Sequence, residues 1–230
     1  NDASIRIGLR LSKDETIVRM PFEVRHMGSK YPIFSFDFTG AKRGVLPASY
    51  DYLRLEGRMQ YRLNLPPIGY SQFMLEGGKI FGKVPYLLLK LHEGNGTYFY
   101  DRYAFSCMNF YEFSSDAWIS FFYEHHFNGF LLGRVPLLKK LNWREVFVFK
   151  GVYGTLSARN DGSLPNTKAV MLFPVGMSSV EHPYLETGFG IENIFRLLRV
   201  DCIWRLTHHR AVPGLSIPTF TVNFSLNLKF

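Results

Sequence analysis

With 230 residues, 47% of them apolar, and a formal net charge of +8, the chain suits one large β domain or two small ones. No apolar run approaches the ~18 residues of a membrane helix, and mean hydropathy is −0.04. That excludes helical membrane proteins but not barrels, which spread their hydrophobicity over alternate residues.

The basic residues sit singly on alternating positions rather than in clusters, which argues against a nucleic-acid partner. An aromatic content of 17% fits the aromatic girdles of a membrane barrel. Cys107 and Cys202 are too few for a disulfide framework and read as small apolar fillers within strands. There is no N-terminal signal segment, so a membrane or secreted protein would have to be a mature or truncated piece.

In chain order, a period of two recurs almost everywhere. Residues 4–11 place Ile5, Ile7, Leu9 and Leu11 opposite Arg6 and Arg10. A strand over 15–26 sets Val18, Met20, Phe22 and Val24 against Arg19, Glu23 and Arg25. Phe34, Phe36 and Phe38 then alternate with Ser35, Asp37 and Thr39.

Residues 53–65 carry Arg54, Glu56, Arg58, Gln60, Arg62 and Asn64 on one face and apolar residues on the other. Pro66-Pro67 stops this strand, since proline cannot donate to a ladder. Further strands are predicted at 69–80, 103–113, 116–128, 144–157, 183–193 and 197–208. The last, 219–230, alternates Phe220, Val222, Phe224, Leu226, Leu228 and Phe230 with polar residues. Twelve residues at ~3.3 Å each run ~40 Å, the length of a strand tilted ~45° through a ~30 Å hydrocarbon layer.

About eleven long two-faced strands joined in a meander predict an all-β fold. It is read as a transmembrane, antiparallel, up-and-down β-barrel in a single domain over 1–230. Bacterial single-chain barrels have even strand numbers, so the chain reads as 11–12 strands from the C-terminal part of a larger barrel.

Charge recurs on the polar face: Arg6, Arg10, Arg19, Arg25, Arg54, Arg58, Arg62, Arg199 and Arg205, with Glu23, Asp37, Glu56, Glu186, Glu192 and Asp201. The plain reading is a cross-strand salt-bridge lattice lining the lumen; the functional one is an anion-attracting lumen. Arginine on the lipid side would cost ~2–4 kcal/mol at the midplane, so this set assigns the other face to lipid.

Other constellations are weak. His125-His126 and His208-His209 point to opposite faces and cannot chelate one ion as pairs, although His126 and Glu124 share a face. Ser120 and His126 also share a face but stand ~20 Å apart. Ser106 or Ser35 could meet a histidine only across strands. Gly188-Phe189-Gly190 lacks the third glycine and helix of a dinucleotide site and reads as close backbone approach. No catalytic, cofactor or metal site is assigned.

Two segments, GKVPYLLLKL (82–91) and GRVPLLKKLN (133–142), lie two strand lengths apart and are placed at the same rim. GKIFGKVPYLLL, GNGTYFYDRYAF, MNFYEFSSD, EHHFNGFLLGRVPLLKKLNWREV and ETGFGIENIFRLLRVD resemble a Bacteroidetes outer-membrane barrel family of unknown function. Its members carry an N-terminal carboxypeptidase-regulatory-like domain, absent here. The order of the last strands is distantly similar to the outer-membrane assembly and two-partner-secretion barrel superfamily. That superfamily's Arg-Gly-aromatic lid-loop motif has no counterpart, the connection at 114–116 being only Ser-Ser-Asp.

The resemblance implies a non-enzymatic integral outer-membrane protein with a structural, assembly or accessory role in an envelope complex. Its partners would be outer-membrane lipid and lipopolysaccharide, the barrel-assembly machinery and other complex subunits. The alternative is a lipid- or lipopolysaccharide-modifying barrel enzyme. The terminal aromatic resembles a barrel-assembly signal, and the C-terminus would be periplasmic. The connections 158–182 and 209–218 would be extracellular; both Val-Pro segments would be periplasmic.

Overall fold

In the computed structural model, which describes residues 3–20, 22–45, 47–163, 169–209 and 216–226, alternation becomes ladder wherever two neighbouring stretches share it. The chain runs β1 (Ile5–Leu11), β2 (Thr16–Arg19), β3 (Val24–Gly28), β4 (Ile33–Ala41), β5 (Tyr52–Asn64) and β6 (Tyr70–Gly82). Two short pieces, β7 (Lys90–Leu91) and β8 (Phe113–Ser115), precede β9 (Ala117–His126). After the single-turn α1 (Pro136–Lys139) come β10 (Arg144–Thr155), β11 (Ser178–Ser179), β12 (Tyr184–Ile194), β13 (Leu198–Arg205) and β14 (Phe220–Leu226).

Nine of these form one sheet in the order β1-β4-β5-β6-β9-β10-β12-β13-β14, antiparallel throughout. The fold is all-β, as anticipated, and among the described residues β1 and β14 are the sheet's two edges.

Turn chemistry sets the boundaries. Pro66 and Pro67 have no N–H, and the turn closes through Leu65 N donating to Gly69 O at 2.8 Å. Gly69 has φ +104°, and a Cβ there would lie 1.8 Å from the His126 carbonyl oxygen. Only glycine lets β6 start that close to β9.

Four expectations are corrected. The predicted strand over 15–26 is two strands, β2 and β3, paired with each other around a turn in which Met20 N donates to Glu23 O. Residues 103–113 form no long strand; they belong to a connection, 83–116, whose strands are the short β7 and β8, with a 3₁₀ turn at Tyr86–Leu88 before them. These two changes leave nine of the eleven predicted strands in the main sheet. They also replace the meander's supposed Ser-Ser-Asp link with a long inserted segment, in which Cys107 lies. Finally, Val84-Pro85 follows β6 and Val135-Pro136 follows β9, and these strands are antiparallel neighbours. The two Val-Pro segments therefore occupy opposite ends of the sheet, not one rim.

The sheet has two contrasting faces. The outer face is apolar and exposed: Ile7 is 65% exposed and Phe189 60%, with Phe36, Ile119, Trp204 and Phe224 exposed beside them. Across all nine strands its only acidic or basic residues, His125 aside, are Lys79 and Glu145, near strand ends. The inner face, on which segment 83–116 packs, carries the charge. Glu186 and Asp201 are 0% exposed there and Lys150 1%.

The sheet curls around that segment. Tyr100 donates its N–H to Phe224 O of β14 at 2.8 Å and its hydroxyl to Glu124 of β9 at 2.5 Å. In a flat sheet, strands four places apart lie ~19 Å from each other, beyond the span of one tyrosine. Arg199 of β13 likewise reaches Glu124 at 3.1 Å.

Candidate functional site

Segment 83–116 is held against the inner face first by apolar packing. Phe105, Met108 and Phe113 join Met74, Phe122, Val152, Val180 and Tyr184 in one buried cluster. Val84 and Leu89 join Ile80 and Trp118 in a second. The inner positions at these levels are themselves apolar, so alternation fails there in sequence but succeeds in packing.

Beside these clusters lies a buried ionic network. The Glu124 carboxylate accepts from Arg199 at 3.1 Å, from Arg102 at 2.6 Å and from the Tyr100 hydroxyl. Arg199 also forks onto Asp201, with Nε 2.8 Å from Oδ2 and Nη2 2.8 Å from Oδ1. Lys150 donates to the carbonyls of Asp101 at 2.7 Å and Ala104 at 2.5 Å. The Tyr100 ring lies between Lys150, 4.5 Å from its centroid, and Arg199, 4.4 Å away.

Glu186 accepts from Ser106 N at 2.8 Å, Cys107 N at 2.7 Å and the Tyr184 hydroxyl at 2.6 Å. Arg205 grips Glu112 at 2.5 Å and the Cys107 carbonyl at 3.1 Å. At the other end, Glu76 joins Arg58 at 2.6 Å to Lys90 at 2.7 Å.

The network's chemistry is that of a lock. Glu124, Asp201 and Glu186 lie among Arg199, Arg102 and Lys150, and each of these charges is hydrogen-bonded. Buried charge is tolerated only when paired and hydrogen-bonded in this way. Within segment 83–116, burial and nearby Glu186 push the Cys107 thiol up to about 12, so it stays protonated and unreactive. His92, bonded to Ser115 Oγ at 2.9 Å, is held down to about 3 by burial and the neighbouring Lys90.

The predicted lattice residues of the nine-stranded sheet fall on its inner face, whereas Arg19, Glu23 and Arg25 belong to the separate β2–β3 hairpin, and the observed pairing corrects the cross-strand picture. Arg58–Glu76 does join neighbouring strands, as does Arg6–Asp37 at 3.0 Å. Arg54 pairs with Glu56 two residues along its own strand, at 2.7 Å. Arg205 and Glu186 pair with segment 83–116 instead, and Glu186 is satisfied by backbone N–H groups rather than by arginine. Arg62 has no carboxylate partner among the described residues. Of the last-strand set, Phe220, Phe224 and Leu226 are exposed on the outer face and Val222 is half-buried; Leu228 and Phe230 lie outside the described residues.

The histidine–serine expectations also shift. His125 and His126 do point to opposite faces. The serine that meets His125 is Ser71, its ladder partner on β6, with Oγ 2.8 Å from Nδ1. Tyr123 OH stands 3.1 Å from the same Oγ, and the Ile68 carbonyl orients the other ring nitrogen at 3.0 Å. Only the register between β6 and β9 reveals this pair. Ser106, by contrast, is tied through its backbone to Glu186, and among the described residues Ser120 meets no histidine. Close backbone approach at the Gly-x-Gly is found at Gly188, where a Cβ would fall 2.8 Å from the Cys202 carbonyl oxygen; at Gly190 it would meet the Asp201 side chain.

A family model described as "Family of unknown function (DUF5686) C-terminal domain" matches residues 1–158, more than half of the chain, which thus belongs to that family. No curated protein matches it. The match covers β1 to β10 and includes all of segment 83–116.

Proposed function

With family membership as the premise, we propose that this chain is part of the wall of an integral bacterial outer-membrane β-barrel, plugged by its own segment 83–116. Its role is non-enzymatic: structural, assembly or accessory, within an envelope complex. The chain's resemblance to a Bacteroidetes outer-membrane family, and distantly to the assembly and secretion superfamily, supports this reading.

One observation carries it: the polarity of the sheet is inverted. A water-soluble sheet buries its apolar face and wets its charges. Here Ile7, Phe189 and Trp204 are exposed while Glu186, Asp201 and Lys150 are buried. An apolar belt across nine strands is far larger than the few hundred Å² a soluble monomer usually exposes, and hydrocarbon is the solvent that suits it.

In this reading further strands complete the wall beyond the edges β1 and β14. The end of β14 faces the periplasm, and its outer aromatics address the chain to the assembly machinery. The connection 127–143 shares the periplasmic side, whereas segment 83–116 enters from the extracellular side.

The Ser71–His125 and Ser115–His92 pairs are the elements favouring a lipid-modifying enzyme, but Ser71 is only 3% exposed and Ser115 0%, and both hydroxyls are already engaged. Acyl-hydrolase activity in the purified barrel, lost in Ser71→Ala, would support that alternative. For the main reading, an unboiled sample should migrate differently from a boiled one and fractionate with outer membranes. Identical migration together with soluble fractionation would refute it.

A further inference from the structure

Two arginines depart from the rule that governs the inner face. Arg6, Arg54, Arg58, Arg199 and Arg205 each hold a carboxylate. Arg62 and Arg144 hold none among the described residues, and both line the same cleft of about 540 Å³. It lies where the β5–β6 turn meets the connection between β9 and β10, and among the described residues no acidic residue lines it.

The two cations come from different strands, Arg62 from β5 and Arg144 from β10. The Arg62 guanidinium rests 3.9 Å from the centroid of the Tyr70 ring. Tyr70 in turn stacks on His126, with centroids 4.5 Å apart and planes 11° from parallel. The ladder sets Arg144 opposite Glu192, but a Glu192 oxygen is engaged by His126 Nδ1 at 3.2 Å. Asn64 and Asn128 add carboxamides to the lining.

We infer that this cleft binds a phosphate group, as a monoester or diester. Two planar guanidinium forks on separate strands call for an anion with several oxygens on different sides; a carboxylate offers two coplanar oxygens and satisfies one fork. The volume exceeds that of the ion alone and leaves room for the group carrying the phosphate. A phospholipid headgroup and a soluble phosphate share this chemistry. The headgroup source rests on the membrane reading above; binding of inorganic phosphate does not.

The test is titration calorimetry on the full chain folded in a maltoside detergent, which brings no phosphate of its own, at one fixed low salt concentration. The probes are inorganic phosphate, dihexanoyl phosphatidylglycerol below its micelle concentration, and acetate. Saturable binding of either phosphate probe is expected. It should weaken at least tenfold in Arg62→Gln and in Arg144→Gln, less in the Lys variants, and not in Arg6→Gln.

Binding of inorganic phosphate identifies a soluble source, and binding of the lipid probe alone identifies a headgroup. The Lys variants keep charge and bulk where a Gln variant fails to fold, so weakening there still supports the site. The inference is overturned if neither phosphate probe binds, if acetate binds as tightly as phosphate, or if the substitutions leave binding unchanged. Heat-modifiable mobility is read separately on the same samples, so failure of this site is distinguishable from failure of the barrel.

Discussion

The two ends of the sheet are written in the same alternating code yet differ in what that code achieves. In β1 every residue is exposed on both faces, and the Arg6–Asp37 pair sits in solvent, with the Arg6 side chain 65% exposed. In β12 and β13 the inner positions, Tyr184, Glu186, Arg199, Asp201 and Arg205, are buried. Alternation decides which face a residue takes; burial depends on what arrives to cover that face. Segment 83–116 anchors to β9, β10, β12 and β13 through Glu124, Lys150, Glu186 and Arg205. It does not cover β1.

The contrast can be broken at its strongest point. Glu124→Ala strands Arg199 and Arg102 without their shared carboxylate. Loss of one partner from a buried ion pair costs about 3–5 kcal/mol. The expected result is a large drop in the denaturant midpoint with an unchanged slope.

A second test concerns the outer face. Phe189→Arg should destabilise the lipid-embedded protein by about 2–4 kcal/mol if the residue lies near the midplane. If that face were wet, the change would stay within about 0.5 kcal/mol.

Acid titration sharpens the difference more gently. The folded protein keeps His92 neutral down to about 3, whereas its ordinary value is 6.5. The unfolded chain therefore binds the extra proton between those values, so stability falls as pH drops through that window and levels off below it. In His92→Gln this share of the decline should vanish from a series of unfolding curves. The smallest effect belongs to the exposed end: Arg6→Gln should cost less than about 1 kcal/mol, measured in the same assay as Glu124→Ala.

Much of the fold was legible because alternation is uninterrupted where the sheet is regular. The predicted 53–65 and 144–157 match β5 and β10 within a residue or two. The signal failed where partners are distant. Residues 103–113 alternate enough to resemble a strand, but the N–H groups of Ser106 and Cys107 go to Glu186, some eighty residues away. Tyr111, at φ +59°, turns the chain instead of extending it.

In 15–26 the polarity pattern continues through the hairpin and hides it; Pro21, unable to donate to a ladder, was the available warning. The charged residues of the inner face were visible one by one, but the insert that pairs them was not. Its most distinctive stretches, GNGTYFYDRYAF and MNFYEFSSD, carried the family resemblance without revealing their place. Ser71–His125 and the Arg62–Arg144 cleft needed the register of β5, β6, β9 and β10, which no local period contains.

The central claim is that the exposed apolar face meets lipid and the charged face does not. Trp204 lies on the outer face and Trp118 on the inner, where it is 5% exposed. Single-tryptophan variants in vesicles containing brominated lipid test this directly. Trp204 fluorescence should be strongly quenched by the bromolipid and little affected by aqueous iodide, while Trp118 responds weakly to both. Quenching of Trp204 by iodide alone would contradict the account.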